Sequence, residues 1–212
     1  MKKHKAWAIV MVGLIVVLPL ISLYVMMQGA KLRQNAKPSS IYSASSILLP
    51  QYILISQRGD TIRADSMNRK VCVYEFYSDD CYEKRYSGTH PFFELQEDYY
   101  GKTFSLRFIS VSLTDSVTGG INLQHYSNRY AAREVWHVVG GDTTYTQNIF
   151  AACKKYAAEK NIVLGNYNCP VYVFLADSKG RICGIYDINN KEQFSFLYND
   201  ILFLIAKKNE TQ

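Results

Sequence analysis

The chain has 212 residues, 48% hydrophobic and 20% charged, a mix that suits one packed domain plus an attachment and excludes a disordered chain. Its formal charge of +6 arises in residues 1–37, where Lys2, Lys3, Lys5, Lys31, Arg33 and Lys37 meet no acid, leaving 18 of the 24 basic side chains against 18 acidic ones elsewhere. A neutral domain has no electrostatic footprint for phosphate backbones, so nucleic acid is not an expected partner.

Ala6 to Met27 carries no charge and, at ~1.5 Å per residue, reaches ~30 Å, the thickness of a bilayer core. A cleaved signal peptide usually has an apolar region of about 7–15 residues before a small-x-small site. Here the run is longer, and Met27-Gln28-Gly29-Ala30 puts glutamine where a small residue belongs. Trp7 and Tyr24 stand near the two ends, where amphipathic rings prefer the interface. The expectation is an uncleaved anchor with a short cytoplasmic stub over residues 1–28. Residues 29–50, rich in Ser, Ala and polar side chains, read as a tether, and 51–212 as the domain.

Within the domain, Tyr52–Ile55 and Thr61–Arg63 flank Arg58-Gly59-Asp60, a hairpin signal. Val71 to Tyr77 is an apolar run suited to a buried central strand. A helix is expected over His90–Tyr99, a second strand over Phe104–Leu113 and a helix over Ile121–Ala132. Trp136–Val139 is short and extended. Asp142 or Thr143 can cap a helix ending near Lys160. Val171–Ala176 and Ile182–Asp187 flank the turn Asp177–Gly180 as a hairpin. Asn189 and Asn190 start a last helix whose Phe194, Phe196, Leu197, Ile201, Leu202 and Ile205 face the core. The order β-α-β-α-β-β-α behind a leading hairpin predicts a thioredoxin-like α/β fold with an N-terminal β-hairpin extension, preceded by one transmembrane helix.

In this topology chemistry sits where the first central strand turns into its helix, here Glu75-Phe76-Tyr77-Ser78-Asp79-Asp80-Cys81 and onward. With Leu95-Gln96 downstream, this stretch resembles the Sco/SenC family, membrane-anchored thioredoxin-like proteins that help build the binuclear copper site of cytochrome oxidase. Phe108–Leu113 with Asp115, the segment from Tyr126 to Asp142, and Phe174 to Tyr186 look like further blocks of that family, in order. The resemblance covers about Tyr52 to Lys207 and the N-terminal anchor. It implies a domain outside the cytoplasmic membrane, in the periplasm or its equivalent. It also implies copper delivery or thiol maintenance during oxidase assembly. The partner would be a cytochrome oxidase subunit or another copper or thiol protein.

Three positions depart from the family. Arg85 stands where the second motif cysteine is expected, Tyr82 and Tyr86 replace prolines, and Cys169 falls where the family has its histidine. The copper set of the resemblance thus becomes Cys81, Arg85 and Cys169. A guanidinium keeps its protons and has no lone pair for a metal. Two thiolates suit Cu(I) rather than the family's Cu(II) site.

Five cysteines are an odd number, so at least one thiol is unpaired within the chain. Cys72 in a strand and Cys153 on a helix face read as small buried hydrophobes; Cys183, in the hairpin, reads either way. Cys81 and Cys169 lie in loops. Three readings stay open for them: a disulfide, a soft-metal pair for Cu(I), or loop cysteines in a tethered interaction module without metal or redox chemistry. Lys84 and Arg85 favour a Cys81 thiolate, while Asp79, Asp80 and Glu83 oppose it. No C-x-x-C is present, so ordinary thioredoxin catalysis is not expected. His90 begins a helix seven to nine residues past Cys81, within reach of the site, but reads first as an exposed helix-start residue; His125 reads as a polar-face residue and His137 as structural.

Overall fold

The computed structural model describes residues 15–29, 31, 37–43, 46–78, 90–114, 123–164 and 171–210. The chain divides into two units, Met1–Ala36 and Lys37–Gln212.

In the first unit, residues 15–29 are helical (α1). The large apolar side chains from Ile15 to Met27 are 50–70% exposed all round the helix. Among the described residues no helix is long and apolar enough to cross a membrane. The expected spanning helix is therefore not met here. Residues 15–29 reach only ~22 Å, and the first part of the apolar run lies in residues 1–14, outside the described residues.

The second unit contains β1 (Ile53–Ser56), β2 (Thr61–Arg63), α2 (Ala64–Met67), β3 (Val71–Tyr77), α3 (Pro91–Tyr99), β4 (Leu106–Ser112) and α4 (Leu123–Arg129). β5 (Trp136–Gly140), α5 (Thr143–Glu159), β6 (Tyr172–Ala176), β7 (Ile182–Asp187) and α6 (Lys191–Glu210) follow. The strands form one mixed sheet in the order β2-β1-β5-β4-β3-β6-β7. β3, β4 and β5 run parallel, while β1, β2, β6 and β7 pair antiparallel with their neighbours. All seven residues of β3 are buried, as a central strand covered on both faces requires.

The two faces carry separate cores. One packs Val71, Val73, Phe108 and Trp136 under α3, α4 and α6 through Phe92, Tyr126 and Leu197. The other packs Tyr74, Phe76, Ile109 and Val139 under α5 through Ile149, Phe150 and Tyr156. This is the expected thioredoxin-like α/β arrangement. The leading hairpin joins it by pairing β1 with β5, a ladder that Gln57 extends by donating to Trp136 O (3.0 Å) and accepting from Val138 N (2.9 Å).

Two features differ from the sequence expectation. Trp136–Val139 belongs to a full parallel strand that carries the first hairpin, so α4 and α5 both flank β5 in sequence. Residues 37–50, read as the end of a tether, include a strap laid against β7 and the core. Ser43 N–H donates to Cys183 O, Ile182 N–H to Ile47 O, and Leu49 N–H to Gly180 O, at 2.8–3.0 Å. Ile47 is buried, and Ile41 and Tyr42 pack on the first core. Apolar residues spaced through a polar stretch drive this, and pairing covers an edge strand that would otherwise offer free backbone groups. The strap is pinned by Asp200 of α6, fully buried, which accepts from Ser39 N (2.6 Å), Ser39 Oγ (2.5 Å) and Tyr186 OH (2.7 Å).

Candidate functional site

β3 and α3 are joined by the connection that sequence reasoning marked for chemistry. The flanking residues hold a buried polar cluster. Strand alternation puts Glu75 on the same face as Val73 and Tyr77, and the parallel register sets it beside Ser110 of β4. Glu75 has no exposed surface, and an isolated carboxylate there would cost several kcal/mol. Its Oε1 accepts from Ser110 Oγ and from Tyr126 OH (3.1 Å) and lies 3.2 Å from His90 Nε2. Trp136 Nε1–H donates to Ser110 Oγ at 2.7 Å and so orients that hydroxyl.

His90 corrects the sequence expectation: it is 1% exposed, not a solvent-facing helix start. It is the N-cap of α3, and its Nδ1 accepts from Phe92 N–H at 3.0 Å. An accepting Nδ1 carries no proton, so the ring is the neutral tautomer with its hydrogen on Nε2. Nε2 faces Glu75 and Tyr126 OH, the latter at 3.1 Å. The imidazole is packed by Trp136 (4.6 Å between centroids), Tyr130 (4.7 Å) and Phe92 (5.5 Å), and Tyr77 stacks on Tyr126 at 4.1 Å. The cluster can hold a proton and fix the two ends of the connection. Sequence reasoning missed it, although one signal was present: Glu75 is the only charged residue in β3.

Gln96, matched from sequence to a family position, is fully buried and structural. Its Nε2 donates to Ala131 O (2.8 Å) and its Oε1 accepts from Arg133 N (2.9 Å), fastening α3 to the turn after α4.

Cys81, Arg85 and Cys169 lie outside the described residues, as do Asp79, Asp80, Glu83 and Lys84. The other three cysteines are free and buried. Burial pushes the Cys72 thiol up to about 12, and it holds Cys153 and Cys183 far above the ordinary thiol range. Cys183 Sγ–H donates to Leu175 O at 3.4 Å. Sealed from solvent and held protonated by burial, these three are core residues, as expected for Cys72 and Cys153. His125 is exposed and His137 half-buried in β5. Among the described residues, no group of three or more His, Cys, Asp or Glu is placed to hold a metal ion. His90 does not fit as a substitute for the family's histidine ligand. Nδ1 is engaged by Phe92 and Nε2 faces Glu75, so ligation would break the helix cap or the buried cluster.

No protein-family model matches the sequence, and no curated protein sequence matches it either. Solved structures do. BsSco, described as a Sco-family cytochrome c oxidase assembly protein with a disulfide switch, is similar with a TM-score of 0.54 and 15% identity, over 78% of this chain and 98% of that one. A putative protein disulfide isomerase from Bacteroides thetaiotaomicron is similar with a TM-score of 0.52 and 15% identity, over 80% and 96%. Yeast Sco1, solved with copper bound, is similar with a TM-score of 0.50 and 15% identity, over 79% and 96%. The likeness read from sequence motifs is thus met at the level of the fold.

Proposed function

We propose that this chain is a Sco-like accessory protein that uses Cys81 and Cys169 in copper delivery or thiol maintenance for respiratory cytochrome oxidase assembly. Its N-terminal helix would anchor it in the cytoplasmic membrane, with the domain on the outer side. The client would be an oxidase subunit or another copper or thiol protein. The observation that carries this reading is the fate of the cysteines: Cys72, Cys153 and Cys183 are sealed in the cores. Their burial supports assigning thiol chemistry to Cys81 and Cys169, the two at positions marked by the family resemblance. The fold likeness to a disulfide-switching Sco protein and to a copper-bound one supports the same reading.

Copper, as cargo, would be held as Cu(I) by two thiolates, since Arg85 offers no lone pair. Arg85, four residues after Cys81, would instead favour the thiolate by its charge. Titration of the full-length protein in detergent with Cu(I), against a chromophoric chelator, tests this. One Cu(I) per chain is expected, with at least a tenfold loss of affinity in Cys81→Ser and in Cys169→Ser, and Arg85→Ala should slow alkylation of Cys81 at neutral pH. Equal, weak copper binding by all three proteins, with both thiols free after air oxidation, would refute the chemical reading. The loss of a ligand position to Arg85 favours one second reading, a membrane-tethered interaction module on a thioredoxin-like scaffold.

A further inference from the structure

The first half of β3 borders a cavity of about 240 Å³ that the proposed thiol chemistry does not use. It lies between the strap, α2 and the end of β6, with Leu49, Pro50, Ala64 and Met67 among its walls. The strap closes one side, because Leu49 N–H is tied to Gly180 O at 2.9 Å. A void of about 150 Å³ already admits a benzene-sized ring, so this one has room for a ring with a substituent. Tyr52, Tyr74 and Cys72 form its buried polar side, none of them more than 3% exposed. Tyr52 OH and Tyr74 OH are 2.9 Å apart, the Tyr74 hydroxyl is hydrogen-bonded to the Cys72 thiol, and Cys72 Sγ–H donates to Lys70 O at 3.8 Å. Counting protons fixes the direction. Were Tyr74 to donate to Tyr52, the Tyr52 proton would be buried with no acceptor among the described residues, a costly arrangement. With Tyr52 donating to Tyr74 and Tyr74 to Cys72, every proton is used and the relay ends at the Lys70 carbonyl. The Tyr52 oxygen then accepts from no described residue.

We propose that this cavity is a binding site for a small, neutral, ring-bearing molecule that donates one O–H or N–H to the Tyr52 oxygen. The walls supply apolar contact for the ring, and the end of the relay supplies the single polar contact that orients it. Neutrality follows from the charged lining residues. The Asp177 carboxylate is already held by Lys179 N–H (2.9 Å), Arg181 N–H (3.0 Å) and Arg181 Nε–H (2.8 Å), and Lys179 is exposed at the rim. A charged ligand would leave water for a space with no free counter-charge inside it. Cys72 is 2% exposed and held protonated by burial, so it serves here as a hydrogen-bond partner and not as a nucleophile. Neither Cys81 nor Cys169 takes part.

Methionine placement gives a direct readout. Met67 lines the cavity, and the other four methionines, Met1, Met11, Met26 and Met27, all precede the domain. Full-length protein in detergent, labelled with ¹³C at the methionine methyls, is titrated with p-cresol and with toluene, which has the same ring and no donor. Affinities are referred to the free concentration outside the micelles. The Met67 methyl should shift saturably with p-cresol, while the four N-terminal methyls report micelle partition and do not saturate. Toluene should bind about fivefold more weakly, the size of one hydrogen bond. Tyr52→Phe keeps the ring and removes the oxygen, so p-cresol should bind to it no better than toluene. A Met67 methyl that does not saturate with p-cresol overturns the proposal. So does toluene binding as tightly as p-cresol, a comparison made in the unsubstituted protein alone, or a folded Tyr52→Phe variant with unchanged p-cresol affinity.

Discussion

His137 shows how one side chain can set the acid stability of this domain. It sits half-buried in β5, and its pKa is held down to about 4, first by burial and then by Arg107, Arg58 and Lys70. In the unfolded chain it titrates near ~6.5. Between these values the unfolded state binds a proton that the folded state does not, so stability falls as pH falls through that window, by ~3 kcal/mol in all. His137→Gln should therefore flatten the profile, measured as the urea midpoint at pH 7 and at pH 4.5. Equal acid losses in both proteins would contradict this assignment. At the same scale, the sequence expectation of a structural His137 holds, whereas His90 departs from it. His90 finds its partners at Glu75 and at Tyr126, 36 positions away in sequence. No local pattern encodes such a contact.

At the scale of elements, the strap is the part whose energetics differ most from a linker. It contributes buried Ile47, the partly buried Ile41 and Tyr42, and both Ser39 donors to Asp200. A buried isoleucine contributes about 1.5–3 kcal/mol, and a buried carboxylate that loses donors costs about 1–3 kcal/mol. A fragment beginning at Gln51 should accordingly be less stable than one beginning at Lys37 by about 3–6 kcal/mol, read from urea denaturation. Identical midpoints would show that the strap is only a tether. The first hairpin and α6 were legible because each follows a period of two or 3.6, and the central strand and second hairpin because short apolar runs stand beside turn residues. The strap was not, because Ile41, Tyr42 and Ile47 follow neither period. β5 was read only as extended because four residues cannot show which neighbours they pair with. Cys81 and the motif around it lie outside the described residues, and the buried cluster beside them, Glu75 with His90 and Tyr126, was not legible.

At the scale of the whole molecule, the chain carries an apolar N-terminal segment ahead of a thioredoxin-like domain. The proposed anchor rests on the charge-free sequence from Ala6 to Met27, of which only residues 15–27 are described, as part of α1. The full chain should fractionate with membranes and resist carbonate extraction. A soluble form with a new N-terminus near Lys31 would show that the segment is removed instead. The central claim, however, is that the chain's chemistry rests on Cys81 and Cys169 while the other three thiols are sealed. Mass-spectrometric mapping of the native, air-oxidised protein, alkylated before and after reduction, tests it most directly. The expected result is a Cys81–Cys169 cross-link that reduction opens to two alkylated residues, with Cys72, Cys153 and Cys183 modified only after denaturation. Alkylation of Cys72, Cys153 or Cys183 in the native protein, or Cys81 and Cys169 both inert and unlinked, would contradict it.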